Sequence, residues 1–235
     1  MAKILTATGA IVSTASPKFG TGAALFDGAG DWIDTPDHAD FNFGSGDFTI
    51  DFWLKRNSVD AGNLYIGFIA NSAGTEILSM KLGADKIQAT WFSSEPVSYT
   101  ITSTSTITDT TTWHHIAWLR DGNTIRLFID GIAEGTVDVT GKTMGTPNSK
   151  FTFGRLGEYT LTPFNGRIDE FRVSKGIARW TANFTPPSSA YTADSYSQTG
   201  LLVHCDGTDG STSFTDDDVI PSVGAKNGIF FGINI

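Results

Sequence analysis

Residues 112–131, TWHHIAWLRDGNTIRLFIDG, constrain this chain more than any other stretch. Two runs rich in β-branched and aromatic residues flank Asp121-Gly122-Asn123, and a second Asp-Gly, Asp130-Gly131, follows at once. Asp-Gly suits a two-residue hairpin turn whose central positions both need positive φ. Residues 132–139 then return as a third strand. Ile125, Leu127 and Ile129 alternate with Arg126 and Phe128, so one face reads as core and the other as half-exposed. The pattern is a β-meander, and it predicts an all-β chain.

The rest of the chain follows suit. Residues 48–56, FTIDFWLKR, are the clearest single strand. Phe48, Ile50, Phe52 and Leu54 share one face; Thr49, Asp51, Trp53 and Lys55 share the other. Further strands are predicted over 23–26, 32–33, 65–70, 76–82, 86–92, 98–107, 151–156, 166–173 and 201–205, with an edge strand over 4–12. Residues 38–47 and 157–163 read as loops, 228–235 as a final apolar stretch, and 174–180 as one helical turn. Residues 183–190, NFTPPSSA, are extended by their prolines. With 26 Gly in 235 residues and 17% charged side chains, so many short strands point to a sandwich or jelly roll.

A net charge of −9 with no basic cluster excludes a nucleic-acid partner, because phosphates need a basic stripe. No run approaches the ~18 apolar residues of a membrane span, and residues 1–5 predict no signal peptide. The single cysteine, Cys205, rules out an intrachain disulfide and reads as a buried small residue. His114 and His115 are strand neighbours whose side chains diverge, so a shared metal is not expected; His38 and His204 lack a nearby second ligand. The glycine-rich runs 20–30 and 44–46 precede no helix and are turns, not phosphate cradles. Asp206-Gly207-Thr208-Asp209-Gly210 lacks the terminal Glu of a twelve-residue calcium loop.

Five segments together resemble the laminin-G-like branch of the concanavalin A-like lectin/glucanase superfamily. They are ALFDGAGDWI (24–33), GDFTIDFWLK (46–55), TWHHIAWLRDG (112–122), LFIDG (127–131) and GRIDEFRVSKGIARWTANFTPP (166–187), in the family's order. The resemblance implies a jelly-roll sandwich of two curved antiparallel sheets over residues 1–190. The last segment further resembles versions of this domain found in phage virion proteins. The chain departs from the family in one respect. GLLVHCDGTDGSTSFTD, which resembles the family's opening segment and its closing strand, stands at 200–216, after the domain. Residues 191–235 are therefore expected to close the sandwich as if it were circularly permuted, through Leu201, Leu202, Val203 and His204, on their own subunit or a neighbour's. The alternative is a truncated second repeat that dangles.

The superfamily's glucanases carry Glu-x-Asp-x-x-Glu on one strand, and no such pattern occurs here. Asp169 and Glu170 are the nearest candidates, but strand neighbours point apart, so both are expected to be structural and no catalytic residue is assigned. The resemblance also admits calcium at Asp31 and Asp169, with turn-capping or solvated aspartates as the alternative; no cofactor is required. For sugar stacking, Trp53, Trp91, Tyr99 and Tyr159 are the aromatics to weigh against packing roles. The resulting expectation is a non-enzymatic virion component, a capsid decoration or tail-fibre or spike protein, assembled in the host cytoplasm. Its partners would be other virion proteins or copies of itself in a homo-oligomer. The alternative is a carbohydrate-binding module for surface glycans.

Overall fold

The structure, a computed structural model, describes residues 3–59, 64–71, 73–95, 97–155, 163–194 and 198–217. The chain opens with short strands β1 (Thr6–Thr8), β2 (Ile11–Ser13), β3 (Ala23–Asp27) and β4 (Trp32–Asp34). A 3₁₀ turn (Ala39–Phe41) leads into β5 (Phe48–Arg56). A meander follows: β6 (Leu64–Ala70), β7 (Glu76–Gly83), β8 (Lys86–Phe92) and β9 (Ser98–Thr102). The opening motif of the sequence folds as β10 (His114–Asp121), β11 (Thr124–Ile129) and β12 (Ile132–Asp138). Then come β13 (Phe151–Phe153), the long β14 (Asn165–Lys175) and β15 (Thr199–Val203).

These strands form two antiparallel sheets. One runs β1-β4-β13-β6-β7-β8-β9, the other β12-β11-β10-β5-β14-β3-β2, with β15 added on β14. This is the all-β jelly-roll sandwich that the strand pattern predicts. Between the sheets lie Phe48, Ile50, Phe52 and Leu54 of β5, facing Leu78, Met80 and Trp91 of the other layer. The void beside Ile50, Phe52, Phe151 and Phe171 is about 10 Å³, scarcely room for one water.

The two hairpin turns of the central meander differ. Asp130 and Gly131 both have positive φ, 51° and 78°, as a type I′ turn requires. Between β10 and β11 the loop is Gly122-Asn123; only Gly122 is positive, at 57°, which is the type II′ arrangement and not the Asp-Gly turn expected. Gly131 is irreplaceable for a second reason: an added Cβ would lie 1.9 Å from the Phe184 carbonyl oxygen.

Three expectations are corrected by tertiary contacts. Residues 174–180 form no helical turn: β14 runs to Lys175, and Thr49 Oγ1 donates to the Ile177 carbonyl while accepting the Arg179 N–H. Those backbone groups are thereby diverted from helical pairing. The strand over 98–107 stops at Thr102, because Glu134 accepts the N–H groups of Thr104 and Ser105 and draws the chain off the ladder. The outer face of the β5 sheet is not half-exposed. Residues 176–194 cross it as a strap, burying Phe128, Ala117 and Leu119 under Phe184 and Trp180, whose rings stack at 4.0 Å. The prolines keep this strap extended, and it bonds the meander through Phe184 N–H to the Gly131 carbonyl at 2.9 Å.

Under the strap, Asp51 is fully buried. Its carboxylate takes a two-pronged bond from Arg172, at 3.1 and 2.8 Å, and lies 3.7 Å from His115 Nε2. Burial opposes the Asp51 charge, yet Arg172 and His115 outweigh it and hold the pKa below the usual carboxylate range.

β14 is flanked by β5 along its whole length, but its other edge has two partners in series. β3 pairs with residues Asn165 to Ile168, and β15 with Phe171 to Ser174. β15 thus pairs with β14 of its own chain, burying Leu201 and Val203 in the main core and Leu202 against Trp53 and Tyr191. Further along, Ile4 bridges Thr215, and Lys3 is clamped between Asp216 and Asp40, at 3.5 and 3.1 Å. The predicted loop residues 157–162 and the apolar stretch 228–235 lie outside the described residues.

Candidate functional site

A groove of about 500 Å³ opens beside the β6–β7 turn. Asn71 shapes one wall. Its Oδ1 accepts the N–H groups of Ala73 and Thr75, at 3.0 and 2.9 Å, an Asx turn that leaves the side-chain NH₂ to donate outward. Phe92, Ser93 and Ser94, at the end of β8, form the opposite wall. The remaining side comes from Gly145, Thr146 and Asn148, held by Gly145 N–H to the Phe92 carbonyl (3.0 Å) and Ser94 N–H to the Thr143 carbonyl (2.8 Å). Gly145 permits this approach, since a Cβ there would stand 2.7 Å from Ile77 Cδ1. Phe92 is half-exposed, and Glu76 opens β7 at the groove's edge. The lining therefore combines an aromatic and small apolar side chains with amide and hydroxyl groups, the chemistry that takes up a polyhydroxylated ligand.

None of these residues was singled out by sequence. The aromatics weighed there behave differently: Trp53 and Trp91 are buried, and Tyr99 packs edge-on against Trp91 at 5.5 Å. Tyr159 lies outside the described residues.

Asp31 and Asp169 are not brought together. Asp31 stands between β3 and β4, its Oδ2 accepting the Asp27 N–H at 2.7 Å, and burial pushes its pKa up. Asp169 accepts three backbone N–H groups, from Lys18 (2.8 Å), Phe19 (3.1 Å) and Glu170 (2.8 Å). No group of three or more His, Cys, Asp or Glu side chains that could hold a metal occurs among the described residues.

The expected divergence of Asp169 and Glu170 is overturned by a bulge. β14 shifts register against β5 between Asp169 and Arg172, and Glu170 adopts φ of 55°. Both carboxylates consequently reach the outer-face cluster of Phe19, Trp53 and Tyr191: Asp169 through Phe19 N–H, Glu170 through Tyr191 N–H at 2.6 Å. Burial lifts Asp169 to about 7 against the pull of its donors. Glu170 also meets His204 Nδ1, which places His204 at the bulge.

His114 and His115 do diverge. His114 sits between Asp130 (2.7 Å) and Asp109 (2.9 Å), whose bonds raise its pKa. His115 is buried among the rings of Trp53, Trp180 and Phe184, with Nε2 on the Tyr191 hydroxyl at 2.9 Å. Cys205 is buried, and burial pushes its thiol pKa well above the usual range, disfavouring the thiolate.

Solved structures share this architecture. The binding domain of Paraclostridial Mosquitocidal Protein 1 superposes with a TM-score of 0.61 at 15% identity, over 73% of this chain and 44% of that one. The botulinum neurotoxin serotype D ligand binding domain, solved with N-acetylneuraminic acid, gives 0.58 at 12%, over 75% and 43%. Domain 4 of AbnA, an extracellular GH43 arabinanase of Geobacillus stearothermophilus solved with arabinotriose, gives 0.55 at 21%, over 73% and 82%. The chain thus spans less than half the length of the two toxin domains, and at these identities the likeness is one of fold. No curated protein matches the sequence. The laminin G pattern does match, over residues 27–179, more than half of the chain and ending before β15. The chain belongs to the concanavalin A-like lectin/glucanases superfamily, in its laminin G branch.

Proposed function

We propose that this chain is a non-catalytic glycan-binding domain of a phage virion, and that the groove bounded by Asn71, Phe92 and Asn148 holds the sugar. The observation that carries the reading is the groove itself: a half-exposed ring beside amides and hydroxyls, on a lectin-like sandwich. Domain 4 of AbnA, of similar fold, was solved with arabinotriose, which supports the ligand class. The non-catalytic part is supported by Asp169 and Glu170, whose carboxylates are occupied by backbone N–H groups and buried. The virion part rests on the 168–187 segment and its resemblance to phage virion domains, and implies a capsid-decoration, fibre or spike role alongside copies of itself or other virion proteins.

Glycan-array screening followed by calorimetry tests the proposal. Binding of an oligosaccharide should weaken about tenfold or more in Phe92→Ala and Asn148→Ala, with melting temperature nearly unchanged. Absence of saccharide binding at millimolar concentration, or binding indifferent to both substitutions, would overturn it. Hydrolysis of the bound glycan would overturn the non-catalytic part.

A further inference from the structure

We infer that the groove selects uncharged or amino-bearing saccharides and turns away uronates and sialylated chains, with Glu76 as the specificity-determining residue. The inference rests on the glycan-binding reading above and refines it. Among the eleven lining residues, Glu76 is the sole ionisable side chain; the others are apolar, hydroxyl, amide or glycine. Glu76 is half-buried at the first position of β7, opposite Ala70. Its charge is felt nearby, since after burial it is the second cause raising the Tyr65 phenol pKa.

No positive charge balances it inside the groove. Lys142 pairs with Glu95 at 2.6 Å and Lys150 with Asp34 at 2.8 Å, and Lys81 lies over the Tyr65 ring, 5.6 Å from its centroid. Lys142 and Lys150 are thereby held on carboxylates outside the lining. The chain's overall charge of −9 acts in the same direction. A saccharide carboxylate placed a few ångströms from Glu76, in a half-buried site, faces like-charge repulsion of about tenfold or more in affinity. A neutral sugar instead presents hydroxyl donors to that carboxylate, and an amino sugar presents an ammonium, each a charge-assisted bond. Glu76 thus separates saccharides by charge.

Matched trisaccharides of four kinds provide the test: neutral, deacetylated amino, galacturonate and sialylated. The wild-type chain should bind the first two at least about tenfold more tightly than the last two. In Glu76→Gln, an isosteric amide, the acidic-to-neutral affinity ratio should rise about tenfold or more, with neutral binding itself weakened as its charge-assisted bond becomes a neutral one. Glu76→Lys should invert the preference between amino and acidic sugars, with circular dichroism confirming the fold in each case. If acidic sugars bind the wild type as tightly as neutral ones, or if neither variant shifts the ratio, the inference falls while the glycan-binding reading stands. If no trisaccharide binds either the wild type or the variants, the glycan-binding reading falls and takes the inference with it.

Discussion

The Glu170 carboxylate meets His204 Nδ1 at 2.9 Å, tying the bulge of β14 to the first residue beyond β15. The contact sits where β14 exchanges one partner strand for another, β3 before the bulge and β15 after it. Glu170 also accepts the N–H of Tyr191, so one side chain joins three segments: the bulge, the strap and the strand that follows it. Its left-handed φ of 55° costs about 1–2 kcal/mol, and the surrounding contacts maintain it.

Glu170→Ala removes the acceptor for a buried N–H and for a half-buried histidine. It should lower unfolding free energy by about 2–4 kcal/mol in urea titrations at pH 6. Glu170→Gln keeps an acceptor for Tyr191 and should cost roughly half as much. Equal stability of the alanine variant and wild type would show that the bulge is held by something else.

A chain ending at residue 194 lacks β15. It leaves the later half of β14 unpaired on one edge and strips Leu201, Leu202 and Val203 from the two clusters they fill. At about 1.5–3 kcal/mol for each apolar side chain, the loss is comparable with the whole stability of a typical domain. The truncated chain should show no cooperative melt and no near-ultraviolet dichroism from its tryptophans. In the full chain, Leu202→Asp sets a charge against Trp53 and Tyr191 and should lower the melting temperature sharply. An unchanged melt in either would exclude β15 from the cooperative unit.

Stability should be greatest at about pH 4–5. His114 is raised by its bonds to Asp130 and Asp109, and His204 by its bond to Glu170; burial lifts Asp169 to about 7. Each holds its proton more tightly folded than unfolded. Their contribution is complete below the unfolded values, about 6.5 for histidine and about 4 for aspartate, and is lost as pH rises through the folded ones. Asp51, Asp130, Asp194 and Glu134 behave oppositely: burial raises them, but their bonding partners prevail and the net shift is downward. Their contribution is present above about pH 4 and is lost as pH falls through the lowered values. Melting scans from pH 3 to 9 should show a decline from about pH 5 upward, whose continuation above pH 7 is lost in a His114→Asn, His204→Asn double variant. A maximum above pH 8 would contradict this assignment.

Local pattern and tertiary contact divide the legibility of this fold. The strands over Phe48–Arg56, Lys86–Phe92 and Thr124–Ile129 are legible to the residue, because alternation over five or more positions reports which side chains share a face. Alternation cannot report what covers the second face. Phe128 and Trp53 read as half-exposed or as candidate platforms until residues 176–194 fold back over them. The groove was illegible for a related reason. Asn71, Ser94, Thr146 and Asn148 are ordinary loop residues, and only the meeting of three loops makes a concave wall of them.

The amino-acid sequence by itself determined the all-β class, the central meander and the family, since these follow from strand period, turn residues and ordered motifs, all read over short spans. Tertiary structure alone decided the bulge that turns Asp169 and Glu170 toward one cluster, the pairing of β15 with its own β14, and the groove with Glu76 at its edge. The physical reason is range. A period-two pattern describes each residue relative to its chain neighbours, whereas a bulge, a strand partner and a concave surface depend on segments as much as 213 positions apart, as Lys3 and Asp216 are when the Lys3 N–H donates to the Asp216 carboxylate.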